Sequence, residues 1–456
     1  MLETLRELIR AGAGKRSTLR ELIRAGAGKR STLLIASIAG VLFLASWATI
    51  HHGFYSEHQI VDTPLYQHYG DWVMHGNVPY RDFSLEYPPG ALPAFILPAI
   101  GNSASAQPSA ATIGPYRVRS AYRRNFELLM ELCGLASIAL LAVGLLRLGA
   151  SNRRIAMSLG LAALSPLLLG PVLLSRFDLW PTALALAALV AILGDRHWIG
   201  FGLLGAATAV KIFPVVLLPI GIVWVWKRAG KRELASCLGI YIAVLVACFV
   251  PFAIAAPHGL VHSFAVQLDR PLQIESLGAA VLVGLHHLFG LAASVQNGSG
   301  SQNLAASGSG VVAWVQTALQ IAALLGVWVW FARGEASRER LVRTSAAAIV
   351  AFVAFGKVLS PQFLIWLCPF VLLVLGRRGL ATSALLVLSL VLTQLWFPYR
   401  YWDYALHFGS LPSALVLARD IALVGLFALM LAGPRRREQE LPAAAPAQAA
   451  LTQSGA

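Results

Sequence analysis

Charge is what this sequence has least of. Only 12% of its 456 residues are Asp, Glu, Lys or Arg, and just 21 of them are acidic. So little charge cannot cover a water-soluble surface, and the 57% hydrophobic content and mean hydropathy of +0.68 exceed those of a soluble globular domain. The chain is therefore expected to be an integral membrane protein. Cysteine is almost as sparse. Cys133, Cys237, Cys248 and Cys368 each stand alone in an apolar run with no CxxC spacing, which argues against a metal framework or structural disulfides and for simple packing. The formal net charge of +15 does not point to nucleic acid. Its Lys and Arg fall in short clusters between apolar runs, as cytoplasmic loops of membrane proteins do.

What the sequence does have is long apolar runs. Taking residues 33–50 as the first span, with basic residues before it, eleven more follow: 126–146, 155–174, 179–193, 198–210, 212–226, 234–255, 311–332, 344–355, 363–375, 380–397 and 411–432. This predicts an all-α polytopic membrane protein of about twelve transmembrane helices, both ends inside, with large external loops at 51–125 and 256–310. Residues 90–100, carrying Pro93 and Pro98, are too short for the ~20 residues of a spanning helix and read as re-entrant or surface-lying. In the alternative topology, 198–226 is one helix broken near Pro214 and 90–100 spans. Residues 1–32 form a cytoplasmic tail in which 4–17 recur unchanged at 18–31. Its GAGKRST lacks the spacing and preceding strand of a phosphate-binding loop. Residues 433–456, rich in Ala, Pro and Gln, read as a disordered cytoplasmic tail.

Against this background the stretch 61–90, VDTPLYQHYGDWVMHGNVPYRDFSLEYPPG, stands out. It places Asp62, Asp71, Asp82 and Glu86 among Tyr66, Tyr69, Tyr80 and Tyr87 directly after the first apolar run. Ionisable groups in a membrane protein gather where water or a polar substrate meets them. Under the twelve-span topology the outer ends of the spans add Arg176 and Asp178 (SRFDLWP), Lys211 (AVKIFP), Arg270, Glu275 and Ser276 (RPLQIES), Lys357 and Gln362 (GKVLSPQ), and Tyr401 (FPYRYWDY). Such a mouth suits an amphiphile with a polar head and a tail in the bilayer. Plainer readings stand beside this one. Lys211 and Lys357 either neutralise a phosphate or snorkel to the headgroups. Tyr399, Tyr401 and Trp402 either stack on sugar or form an interfacial belt. Arg81, Asp82 and Glu86 read as a loop-stabilising ion-pair set, and His286 and His287 as structural.

Taken in order, Asp62-x-x-x-Tyr66, Gly76-x-x-Pro79-Tyr-Arg-Asp-Phe83, Glu86-Tyr-Pro-Pro-Gly90, RFDLWP, AVKIFP, RPLQIES and KVLSPQFLIWLCP resemble the polyprenol-phosphate-dependent glycosyltransferases of the GT-C superfamily. The nearest resemblance is to the branch of bacterial polyprenyl-phosphate-mannose-dependent alpha-mannosyltransferases, over residues 33–432. It implies a hexosyltransferase of the bacterial plasma membrane with its active site on the external (periplasmic) face. The partners it implies are a polyprenyl-phosphate-sugar donor, a glycolipid or glycan acceptor and the lipid bilayer. Asp62 falls at the position of the family's general base. Lys211, Lys357 and Arg270 are assigned to the donor phosphate. Tyr66, Tyr87, Arg176, Asp178, Glu275, Ser276, Gln362 and Tyr401 are assigned to sugar and acceptor. Related enzymes carry a D-x-D pair for a metal. Asp62-Thr63-Pro64 stands here instead, which puts an obligatory divalent ion in doubt, and no other cofactor is expected. A twelve-span transporter or lipid flippase is the competing class, which calls for internal repeats and broken helices at mid-membrane.

Overall fold

The structure, a computed structural model, describes residues 30–102 and 118–432. The duplicated repeat, apart from its last two residues, and the Ala/Pro/Gln tail lie outside the described residues. In chain order the helices are α1 (Arg30–Thr49), α2 (Phe54–Glu57), α3 (Thr63–Met74), α4 (Leu92–Ile96), α5 (Ser120–Arg147), α6 (Asn152–Leu169), α7 (Val172–Ser175), α8 (Leu179–Leu193) and α9 (His197–Val210). After them come α10 (Leu218–Ala255), α11 (Pro257–Leu268) and α12 (Leu277–Phe289). A hairpin of β1 (Ala293–Gly298) and β2 (Ser301–Ala306) precedes α13 (Ser309–Arg333), α14 (Arg338–Ala354), α15 (Leu364–Leu372), α16 (Gly376–Trp396), α17 (Tyr401–His407) and α18 (Ser410–Leu431).

Each of the twelve apolar runs falls largely on helix, as an all-α polytopic membrane protein requires. Six helices among the described residues are long and apolar enough to cross a membrane, and shorter apolar ones pack between them. The outer surface is apolar too: Ile242, Val246, Val250 and Ile254 recur every fourth residue on one exposed face of α10. In water that stripe would be a liability, whereas in lipid it is the solvent-matched face. Along α14 the interior is built on small side chains. Ala346, Ala347 and Ala348 of α14 are fully buried and let neighbouring backbones approach closely.

The continuous helix α10 is two spans in disguise. At Gly230 the backbone turns to φ 83°, a left-handed value that glycine adopts without a Cβ penalty. Before that turn Lys227 donates to the carbonyls of Ala332 and Gly334 at the end of α13. After it the chain runs back until Phe252 meets the ring of Tyr80 at 5.6 Å. The residue runs 212–226 and 234–255 are thus separate passes, and α9 ends cleanly at Val210, with Lys211 in an extended conformation. That disposes of a single helix over 198–226.

Two details depart from the sequence reading. The hairpin was not expected; its turn Ser299–Gly300 has φ of 53° and 69°, the pairing that a two-residue hairpin turn requires. Residues 89–99 are not surface-lying: Ala91, Ala94, Phe95 and Ala99 are fully buried, and the segment packs against α3, α5 and α9. Its prolines at Pro89, Pro93 and Pro98 each fall in the first turn of a short helical piece, where a missing N–H costs nothing.

Candidate active site

At one end of the bundle the loops between α3, α8, α9, α12 and α15 meet. Asp62 is the residue before α3, and its carboxylate is ion-paired with Nη1 of Arg176, which lies in the extended link between α7 and α8. Tyr66, one turn into α3, points its hydroxyl 3.4 Å from Asp62 Oδ2 and 3.5 Å from the hydroxyl of Tyr87. Two residues after Arg176, Asp178 starts α8. Its Oδ1 accepts hydrogen bonds from Lys211 Nζ at 2.7 Å and from Trp366 Nε1 at 2.6 Å. The chain of contacts Asp62–Arg176, then Asp178–Lys211, therefore links the proposed base to a cation drawn from a different helix end. Lys211 is also ringed by aromatics, with its ammonium 4.8 Å from the Phe177 ring centre and 5.1 Å from that of Trp366.

Gly90 explains why the EYPPG turn can reach this point. A Cβ on Gly90 would stand 2.6 Å from the backbone carbonyl of Ala209, in the last turn of α9 beside Lys211. Only glycine lets the two backbones come so close.

The RPLQIES segment forms the second wall, held on every side by backbone bonds. Leu304 of β2 donates to Leu272, Ile274 donates to Gln302, Gln273 donates to the carbonyl of Lys357, and Tyr404 donates to Ile274 at 2.5 Å. Gln273 Nε2 bridges Glu275 Oε2 (2.6 Å) and Ser360 Oγ (2.8 Å). Arg419 of α18 donates to the Glu275 carbonyl at 2.8 Å. Ser276 starts α12, its side chain buried with no hydrogen-bond partner among the described residues. Arg270 bonds Gln267 at 3.3 Å.

The electrostatics follow from burial. Removal from water pushes Glu275 up to about 7, against the pull of Arg419. It pulls Arg176 down to about 10, against Asp178 and Glu275. Burial also lowers Lys211, with Asp178 opposing and the nearby Arg176 and Arg270 adding repulsion. Glu86 is reached by solvent yet ringed by protein, so its pKa rises, opposed by Arg270. It does not join Arg81 and Asp82, which pair with each other at 2.9 Å on the surface. A site lined this way can hold an anion among its cations.

The family model for glycosyltransferase family 87 matches residues 86–361, more than half of the chain. The chain belongs to glycosyltransferase family 87. It is a multi-pass membrane glycosyltransferase, and the family 87 match takes in Arg176, Asp178, Lys211, Arg270, Glu275, Ser276 and Lys357. Asp62 and Tyr66 precede the matched stretch, and Gln362 and Tyr401 follow it. No curated protein matches the chain. Among solved structures it is similar to ArnT from Cupriavidus metallidurans bound to undecaprenyl phosphate. That likeness has 14% identity and a TM-score of 0.45, and covers 87% of this chain and 76% of that one.

The geometry sorts the remaining family 87 candidates. Tyr87 faces Lys211, whose ammonium lies 6.0 Å from its ring centre. Tyr401, at the start of α17, is an electrostatic neighbour of Arg176 and Glu275 and packs edge-on against Trp402. Gln362 lies in the 3₁₀ turn Pro361–Phe363 that leads into α15. Lys357 leaves the centre: its ammonium donates to the carbonyl of Leu268 at 2.8 Å, at the end of α11. Trp366 and Arg419 touch this centre, and sequence reasoning did not single them out. Arg419 and Asp420 form a fully buried pair (2.6 Å) in the middle of an apolar helix, and such an intramembrane pair was itself a readable signal. Among the described residues no three His, Cys, Asp or Glu side chains assemble as metal ligands.

Proposed function

We propose that this family 87 enzyme transfers mannose from a polyprenyl-phosphate-linked donor to a glycolipid or glycan acceptor, with inversion, on the external face of a bacterial plasma membrane. The observation that carries the reading is the run of charges from Asp62 through Arg176 and Asp178 to Lys211. It puts a carboxylate that can take a proton near cations that can receive a phosphate. Asp62 is the base. The acceptor oxygen attacks the anomeric carbon as its proton passes to Asp62, and the bond from that carbon to the phosphate oxygen breaks on the opposite face. The electron pair leaves with the polyprenyl phosphate. Arg176 orients Asp62 through their ion pair, and general-base assistance of this kind contributes about 10²–10⁴ in rate. Lys211 and Arg270 meet the charge that grows on the leaving phosphate, in a site dry enough for that charge to matter. Lys357 acts from the rim by holding the loop that carries Arg270.

The test is donor-dependent turnover by the purified full chain in micelles. Polyprenyl-phosphate-mannose and an acceptor glycolipid should yield free polyprenyl phosphate, and Asp62→Asn should abolish it while the protein melts at the wild-type temperature. Full turnover by Asp62→Asn would remove the base assignment. Turnover with a nucleotide-linked sugar and none with the polyprenyl donor would remove the donor class.

A further inference from the structure

At the ends of α14, α16 and α18 farthest from Asp62 lies a cavity of about 820 Å³ that the transfer reaction does not use. Its wall carries Arg340 and Arg343 from α14, Arg377 and Arg378 from α16, and only Glu335 and Glu339 as counter-charges. Arg340 and Arg343 lie over the Trp330 ring, at 4.1 and 4.7 Å from its centre, and neither they nor Arg377 forms an ion pair among the described residues. The Nε–H groups of Arg340 and Arg343 are buried with no acceptor among the described residues.

The wall is also built to stay in place. Arg154 Nη2 binds the carbonyls of Leu372, Val374 and Gly379 at 3.2, 2.7 and 3.3 Å, which fixes the turn that presents Arg377 and Arg378. α16 starts at this turn with no side-chain cap from Leu375, and Leu375 and Gly376 line the cavity beside Arg377 and Arg378. Outside the cavity, Leu380, Leu388 and Leu395 are exposed along one face of α16, a track that acyl chains can follow away from the cavity mouth.

We propose that this cavity binds the phosphate of an anionic phospholipid from the leaflet opposite the Asp62 site, with the lipid's tails along α16. Free phosphate shares the headgroup chemistry but has no use for the leucine track. The test is native mass spectrometry of the full chain in neutral detergent, titrated with dioleoyl phosphatidylglycerol or dioleoyl phosphatidylcholine. Phosphatidylglycerol should be retained in preference to phosphatidylcholine. Each arginine near a membrane surface contributes roughly fivefold in affinity. The exposed Arg377→Gln should therefore weaken phosphatidylglycerol retention about fivefold and Arg343→Gln/Arg377→Gln more than tenfold. Lys211→Gln should leave it unchanged, separating this site from the Asp62 one. Equal retention of the two lipids, or undiminished phosphatidylglycerol retention in folded Arg377→Gln and in the double variant, would overturn the proposal. Displacement of the lipid by millimolar inorganic phosphate would reassign the cavity to the free anion and overturn it equally.

Discussion

Replacing Glu275 by glutamine gives the sharpest test of the buried electrostatics. The carboxyl is 2% exposed and burial raises it from 4.5 to about 7, so the folded protein holds a proton that the unfolded chain has already released. Stability that is complete below pH 4.5 is therefore lost progressively as pH climbs to about 7. Each pKa unit corresponds to ~1.4 kcal/mol, so the whole penalty is about 3 kcal/mol in the wild type. Glutamine imitates the neutral acid and can still accept from Gln273 Nε2, while Arg419 keeps its bond to the backbone carbonyl. Glu275→Gln should match the wild type at pH 5 and exceed it by several degrees in melting temperature at pH 8.5. Intrinsic tryptophan fluorescence on heating in detergent would follow both. Parallel pH profiles for the two proteins would refute a carboxyl held protonated by burial.

Breaking the Asp178–Lys211 pair from one side should cost more than removing it altogether. Asp178→Asn leaves a buried ammonium uncompensated and should lower stability by about 3–5 kcal/mol, whereas Asp178→Asn/Lys211→Met should recover much of the loss in the same melting assay. Gly90→Ala should destabilise by roughly 1–3 kcal/mol, because the clash is with the α9 backbone and no side chain can step aside. Arg176→Gln should reduce turnover about tenfold or more while leaving the melting temperature within a few degrees of wild type, since Asp62 loses the cation that orients it. Undiminished turnover in the folded variant would argue that Arg176 does not act through Asp62.

Much of this was legible in the sequence because apolar runs are a long-range signal and membrane helices satisfy their own backbones. The separation of residues 212–226 from 234–255 was readable from the basic cluster around Gly230, which marked a turn that hydrogen bonding alone disguises. The segment 63–74 was harder. It reads as polar loop, yet it is helix α3, with Gln67, His68 and Asp71 buried. The cation that compensates Asp71 is Arg119, 48 residues away, which binds both of its carboxylate oxygens at 2.7 and 2.6 Å. The direction of Lys357 was equally out of reach. It depends on a free carbonyl at the end of α11, which no residue type announces. Lys211 was found because a lone lysine between two apolar helices is costly wherever it points.

Trp366 and Lys211 both reach Asp178, so one carboxylate gathers groups from chain positions 178, 211 and 366. During synthesis the first two are in the membrane long before the third has left the ribosome. A nascent chain halted ahead of α15 thus carries an unfinished centre, and competence arrives late, in one step, as the last fifth or so of the polypeptide docks. Fragments or split halves of this enzyme should be inert until rejoined, whatever their individual helices do.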